Sequence, residues 1–329
     1  MESKKNIIGI GNALMDIVVK LPDNQILQKN NLPKGSMILV DAETSLNINS
    51  QTAGYEKSLV PGGSVANTVH GLASFGVRTA FVGKVGNDEL GEQYANGLSE
   101  IGATPQLFKS TTATGVAMAL VTPDSERTFA TYLGAAIEMS ADDISIDLFR
   151  DFDIAYVEGY LVQNHDLVRK VVEMARKAGL IIAIDLASYN VVEENIDFLK
   201  EIIKDHVDII FANEDEVKAF TGLEPEEAIL SLMDICDIAV IKLGKNGSII
   251  YNGNDLYRIG IAGTTCIDTT GAGDLYAAGF LYGFSCNFDL ETCGRIAAIT
   301  AGHVIKVYGA RMDKAQWNEL ISDVNKMFV

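Results

Sequence analysis

The stretch Asp268-Thr-Thr-Gly-Ala-Gly-Asp274, followed by LYAAGFLYG, carries the densest chemical signal in the chain. Gly271, Ala272 and Gly273 let backbone N–H groups turn inward without steric obstruction. They stand where an apolar, small-residue-rich helix begins, and a helix N-terminus offers unpaired donors and the positive end of a dipole. Such a loop binds an anion. Asp274 falls in the first turn of that helix, which sets a carboxylate at the rim of the anion hole. Phosphoryl transfer suits this pair: the donors stabilise charge on the moving group, and the carboxylate accepts the proton of an attacking hydroxyl. A plain helix cap is the competing reading, because the dipole alone favours acidic residues in first turns.

Other segments offer contacts for a ligand. In Pro61-Gly-Gly-Ser-Val-Ala-Asn67 the paired glycines Gly62 and Gly63 expose backbone to close approach. Asn67, one turn into the following helix, can both donate to and accept from hydroxyls. Asp16 lies at the end of the expected first strand, and a carboxylate there can accept from two neighbouring sugar hydroxyls. Asn213-Glu-Asp-Glu216 lies just after an expected core strand, at the carboxyl edge where doubly wound folds place ligands; Asn213 could equally cap the next helix. Gly9-Ile-Gly11 invites a dinucleotide reading. The third glycine is missing, Leu14 stands in its place, and no helix pattern follows, so a nicotinamide-dependent dehydrogenase is set aside.

These residues need a frame. Apolar runs at Ile154–Val157, Ile181–Ile184, Ile209–Ala212 and Ala239–Leu243 alternate with helix patterns near Asp166–Ala178, Glu193–Lys204, Glu214–Thr221 and Glu226–Met233. Continuous apolar strands separated by helices predict a mainly parallel α/β sheet covered on both faces, which Ile7–Ile10 and Ala80–Val85 join. Lys245-Asn246-Gly247 predicts a tight hairpin, so one edge of the sheet turns antiparallel. Met37–Val40, Gly115–Val121 and Arg127–Leu133 read as strands without intervening helices. They predict a small antiparallel sheet serving as a lid, since closure over a substrate excludes water. The expected division is an α/β core at 1–14, 41–105 and 137–329 and a lid at 15–40 and 106–136.

Composition narrows the class. The 329 residues are 48% hydrophobic and 21% charged, enough for a large core without disulfides. With 26 Lys and Arg against 44 Asp and Glu, the net charge of −18 argues against general nucleic-acid or anionic-membrane binding. Cys236, Cys266, Cys286 and Cys293 form no CxxC pair, which points away from zinc and toward a reduced cytoplasm. The N-terminal apolar run is short and broken by Asn12 and Asp16, so it reads as a strand rather than a signal peptide. No stretch has the apolar length of a transmembrane helix. The four histidines are too scattered for a metal cluster, and His303 reads as an ordinary helix residue, with a place near the nucleotide as the alternative.

DTTGAGDLYAAGF resembles the C-terminal signature of the PfkB, or ribokinase-like, sugar and nucleoside kinases. PGGSVAN, running on through LASFGVRTAFVGKVGNDELG, resembles their N-terminal signature, about 200 residues upstream. The resemblance covers essentially the whole chain and implies a ribokinase-like doubly wound fold with a β-sheet lid. It implies an ATP-dependent kinase in which Asp274 matches the catalytic base, and Gly271, Ala272 and Gly273 the anion hole. Gly62, Gly63 and Asn67 match substrate-binding positions. Asn213 and Glu216 match an N-x-x-E motif supporting magnesium, through water, and phosphate. Lys242, Gly244 and Gly247 align with a nucleotide-contacting turn. Asp268 and Thr270 resemble part of a monovalent-cation site, with K+ as the ion; bracing of the loop by Asp268 is the alternative.

Asn12 and Asp16 are similar to the G-N-x-x-x-D-I segment of adenosine-kinase-type members, with Leu14 placed to pack on a base. Glu126-Arg127 through Gly134 resembles the lid strand of nucleoside-kinase-like relatives. Arg127 there either reaches the transferring phosphate on closure or is an exposed strand-edge charge. The expected acceptor is therefore a primary hydroxyl of an adenosine-like nucleoside, with a ribokinase- or fructokinase-type sugar as the alternative. A non-catalytic regulator with the same fold is the reading from another class; a binder would have no need of Asp274. A homodimer through the exposed lid edge is the expected assembly.

Overall fold

Fourteen strands form two sheets in the computed structural model, which describes residues 4–124, 126–263 and 265–328. In chain order they are β1 (Ile7–Ile10), β2 (Leu14–Lys20), β3 (Met37–Leu39), β4 (Lys57–Gly62), β5 (Thr79–Gly86), β6 (Thr104–Ser110) and β7 (Gly115–Val121). There follow β8 (Arg127–Tyr132), β9 (Ile154–Glu158), β10 (Ile181–Asp185), β11 (Ile209–Asn213), β12 (Ile238–Lys242), β13 (Ser248–Tyr251) and β14 (Leu256–Ile259). The large sheet has the order β14-β13-β12-β11-β10-β9-β1-β5-β6. It is parallel from β6 to β12 and antiparallel at β13 and β14, as the Lys245-Asn246-Gly247 hairpin predicts.

Alternation along each strand feeds a core on either face. In β11, Ile209 and Phe211 pack on one side, and Ile210 and Ala212 on the other. The first face is covered by the helices Ser64–Ser74, Ala272–Ser285 and Leu290–Val304, the second by His165–Lys177 and Ile196–His206. From β1 the sheet grows outward through β5 and β6, and then in the opposite direction through β9 to β12. The strand order thus reverses between β1 and β9, the switch point at which open α/β sheets bind ligands.

The small sheet has the order β3-β8-β7-β2-β4. Its strands include the three expected segments, but it is mixed rather than antiparallel: β2 runs parallel to β7, and β3 to β8. The reason is local. β2 continues β1 and β7 continues β6, two strands that point the same way in the large sheet, so both emerge in one direction. Pairing also shifts the expected division. Lys57–Gly62 joins the small sheet, and Thr104–Ser110 pairs with β5 in the large one. Both segments contain a proline, Pro61 and Pro105, which weakens a strand pattern in sequence. Among the described residues no helix is long and apolar enough to cross a membrane.

Candidate active site

The switch point is occupied by a hydrogen-bonded pair. Asn12 follows β1 and Glu158 ends β9; Asn12 Nδ2 donates to Glu158 Oε1 at 2.7 Å and Asn12 N to Oε2 at 3.3 Å. Val65 N, in the first turn of the Ser64–Ser74 helix, also reaches Oε2 at 3.5 Å. Burial pushes the Glu158 carboxyl up to about 7 against those donors. Gly63 takes φ 95°, and a side chain there would meet the Asn12 carbonyl at 2.4 Å. Glycine therefore lets the Ser64 helix start directly over the β1 loop.

Asp274 sits where two helices meet. Ser64 Oγ donates to its Oδ1 at 2.7 Å, and Asn67 Nδ2 to its Oδ2 at 2.9 Å. Thr68 Oγ1 donates to its carbonyl at 3.0 Å, tying the two helices together at the same turn. Burial raises the carboxyl to about 6, while the Asn67 and Ser64 bonds hold it down. It is thus largely ionised at neutral pH yet basic enough to take a proton. Gly271, at φ 75°, turns the chain into the Ala272–Ser285 helix, with Ala310 Cβ only 2.4 Å from where a side chain would start. The amides of Gly273 and Asp274 have no acceptor within a helix that begins there.

Asp16 projects from β2 against Gly62 of the neighbouring β4. A Cβ on Gly62 would lie 2.1 Å from Asp16 Cγ, so only glycine leaves the carboxylate its place. Burial raises Asp16 to about 7; the Arg311 guanidinium opposes that and the Asp274 charge adds to it. Arg311 donates to the Pro61 carbonyl, just ahead of the glycine pair. Burial lowers the Arg311 guanidinium to about 10.

A second charged group borders the Gly271–Gly273 loop. Lys242, ending β12, pairs with Asp185, ending β10, at 2.7 Å, and its Nζ lies 3.5 Å from the Cβ position of Gly273. Asn213 and Glu216 form a reciprocal cap: Asn213 N and Nδ2 donate to Glu216 at 2.8 and 2.7 Å, and Glu216 N donates to Asn213 Oδ1 at 2.9 Å. Burial raises Glu216 to about 7, with Lys242 opposing and Asp185 reinforcing. Gly244 and Gly247 form the β12–β13 turn at φ 51° and 87°. Side-chain space at Gly247 is closed by the Ile259 carbonyl at 1.9 Å, whereas Gly244 faces open space.

Asp268 braces the loop that precedes Gly271. Its Oδ1 accepts from Thr270 N and Oγ1 at 3.0 and 2.8 Å, and its Oδ2 from Gly309 N at 2.6 Å. Arg127, the first residue of β8, reaches across from the small sheet to pair with Asp268 at 2.7 Å and to donate to Thr270 Oγ1 at 3.1 Å. His303 is a buried helix residue bonded to Asp323 at 3.0 Å.

Between the two sheets lies a cavity of about 1120 Å³. Its polar lining includes Asn12, Asp16, Asn67, Asp274, Gln163, Asn164 and Asn190, and its apolar lining includes Leu14, Phe129, Leu133 and Ala136. Five residues of this neighbourhood escape a sequence reading: Ser64, Glu158, Asp185, Arg311 and Tyr160. Ser64 stands inside the glycine motif itself. Glu158 and Asp185 end apolar strands, and the carboxyl-edge rule that marks Asn213 marks them equally. Arg311 and Tyr160 carry no local signal.

The sequence profile of the pfkB family carbohydrate kinases matches residues 36–317. The chain belongs to the pfkB family of carbohydrate kinases. An uncharacterized sugar kinase of Archaeoglobus fulgidus is 27% identical to this pfkB kinase over 247 residues, which are 73% of this chain and 96% of that one. The crystal structure of a probable sugar kinase from Rhizobium etli superposes with a TM-score of 0.86 at 30% identity, covering 98% and 99% of the two chains. That of an adenosine kinase from Sinorhizobium meliloti gives 0.86 at 32% identity, covering 98% and 100%. The pfkB kinase therefore has the ribokinase-like fold and is a phosphotransferase acting on a hydroxyl of a sugar or nucleoside, with ATP binding implied. The reading as a non-catalytic regulator finds no support among these relatives.

Proposed function

We propose that this pfkB kinase transfers the γ-phosphoryl group of ATP to the primary hydroxyl of an adenosine-like nucleoside, with Asp274 as the base. The observation that carries this reading is the size and lining of the cavity. Polar groups at Asn12, Asp16 and Asp274 suit a pentose, and apolar side chains at Leu14, Phe129 and Leu133 suit a flat ring. At about 1120 Å³ it exceeds the roughly 300–1,000 Å³ of ordinary small-molecule pockets, so a lone hexose would leave much of it empty. The likeness to the Sinorhizobium meliloti adenosine kinase supports the same choice.

In this account Asp16 accepts from the sugar hydroxyls, with Gly62, Gly63 and Asn67 shaping the pocket. Asp274 takes the proton of the attacking hydroxyl; the new O–P bond forms as the bond to the departing ADP breaks. The amides of Gly271–Gly273 and the Lys242 ammonium hold the transferred group, and Gly244 and Gly247 border the nucleotide. Asn213 and Glu216 fit magnesium through water: both Glu216 oxygens already accept protein donors, and a cation would relieve the burial of that carboxylate. Magnesium bound there supplies charge neutralisation for the phosphates. The Asp268 and Thr270 oxygens do not fit a potassium ion in the same way, since Arg127 engages them. Free cysteines suit a reducing cytoplasm, and the edge strands β3 and β4, bearing the exposed Met37, Leu39 and Leu59, offer a second copy a place to pair.

A coupled assay with adenosine, inosine, ribose and fructose tests the substrate. The expected result is a kcat/KM for adenosine about 100-fold or more above that for ribose, because a built pocket discriminates by the contacts left unmade. Equal or better turnover of ribose or fructose would replace the nucleoside reading with the sugar-kinase one.

A further inference from the structure

We infer that the guanidinium of Arg127 stands in for a monovalent cation at Asp268, so that lid closure and charge neutralisation of the phosphate-binding loop are one event. The inference rests on the kinase assignment and on Gly271–Gly273 as the anion hole. Asp268 lies just upstream of that hole, and its exposed fraction is only 11%. A negative charge so placed repels the phosphate that the loop is built to hold, unless a cation cancels it. The only cation paired with Asp268 among the described residues is Arg127, which is carried by the lid.

The donor count leaves no place for a metal on this carboxylate. An ionised carboxylate has about four lone-pair sites. Oδ1 accepts from Thr270 N and Thr270 Oγ1, and Oδ2 accepts from Gly309 N and Arg127 Nη2. The second arm of the same guanidinium donates to Thr270 Oγ1 at 3.1 Å, so Arg127 spans both side chains a monovalent ion would use. The Tyr308 ring, 5.9 Å from the guanidinium carbon, covers its other side. A planar fork held by two acceptors and an aromatic face is a fixed site for arginine, and it is completed only when β8 lies over the core. With the lid raised, Asp268 keeps its backbone donors but loses the charge that cancels its own.

Two measurements on wild type and Arg127→Gln test this. The first is turnover with the best acceptor of the panel, in potassium and in a bulky organic-cation buffer. The second is hydrogen exchange of the 127–132 and 265–271 segments without substrate. Wild type is expected to turn over equally in both buffers and to exchange equally. The variant should lose about tenfold or more in kcat/KM in the organic cation, as truncation of one partner of a largely buried pair does. It should exchange faster in both segments and recover several-fold in rate with potassium, which can enter the vacated place. Several-fold activation of wild type by potassium would overturn the inference, as would a variant that behaves like wild type or one that potassium does not rescue. If no acceptor is turned over by either protein, the kinase reading fails separately and exchange alone decides: faster exchange of the variant, slowed by potassium, upholds the inference, and unchanged exchange overturns it.

Discussion

Asp16, Glu158, Glu216 and Asp274 share one physical circumstance: burial is the largest influence on each and raises all four. What separates them is their partners. Glu158 and Glu216 are tied to asparagines, and Asp274 to Ser64 and Asn67, but among the described residues no hydrogen bond offsets the burial of Asp16. That leaves Asp16 the carboxylate with most to gain from a ligand's hydroxyls. Its position depends on Gly62 having no side chain. Gly62→Ala should therefore displace Asp16 and raise the acceptor KM by about tenfold, the worth of one lost hydrogen bond to a charged group. Adding Asp16→Ala should cost little more, since both changes remove the same contact. Steady-state KM values for the single and double variants check this, and full additivity would contradict it. That Asp16, Asn67 and Asp274 gather at one cavity was legible in sequence, because they stand in motifs with a chemical reason for each residue type. Arg311 was not: its partner carbonyl on Pro61 lies 250 positions away in the chain.

The unit that presents Asp274, the proposed base, is a pair of helices, Ser64–Ser74 and Ala272–Ser285. Their approach is set by Gly71, where a Cβ would lie 2.7 Å from Ala278 Cβ and 2.9 Å from Leu275 Cδ1. The closeness puts Ser64, Asn67 and Thr68 within bonding distance of Asp274. Gly71→Val should wedge the helices apart, lowering kcat and destabilising the fold by about 1–3 kcal/mol, as overpacking does. Denaturant midpoints and kcat check this together; lost stability with unchanged kcat would show that the spacing does not matter to the base. Strand and helix periodicity foretold the large sheet well, because buried parallel strands read as plain apolar runs. The small sheet was harder. β4 carries Pro61 and exposed residues, and a parallel pairing between β2 and β7 follows from where the large sheet releases them, which no local pattern records.

Across the whole molecule the raised carboxylates make stability depend on pH in an unusual direction. Asp16, Glu158 and Glu216 titrate near 7 and Asp274 near 6 when folded, against ordinary values of 3.8 for Asp and 4.5 for Glu. Between those limits the folded chain holds more protons than the unfolded one. The stability they contribute is full below the ordinary values and is lost as pH rises through 6 to 7. His70 acts oppositely: burial lowers it from 6.5 to about 2, so its contribution is lost as pH falls below 6.5. One histidine against four carboxylates leaves the net slope downward, and a net charge of −18 steepens it through self-repulsion. The ligand-free Tm should therefore fall between about pH 5.5 and about pH 7.5. Calorimetry across that range checks the sign, and a rising Tm would contradict it.

The central claim is that a carboxylate at the start of the Ala272–Ser285 helix takes the acceptor proton. Its most direct test is Asp274→Asn, which keeps the shape of the side chain and can still bond Ser64 and Asn67. Turnover with the best acceptor should fall by about 100- to 10,000-fold, the range for loss of a general base, while calorimetry finds acceptor binding retained. The wild-type rate should rise through a group titrating at about 6, and that dependence should vanish in the variant. Near-normal turnover of Asp274→Asn, or an unchanged pH profile, would contradict the account.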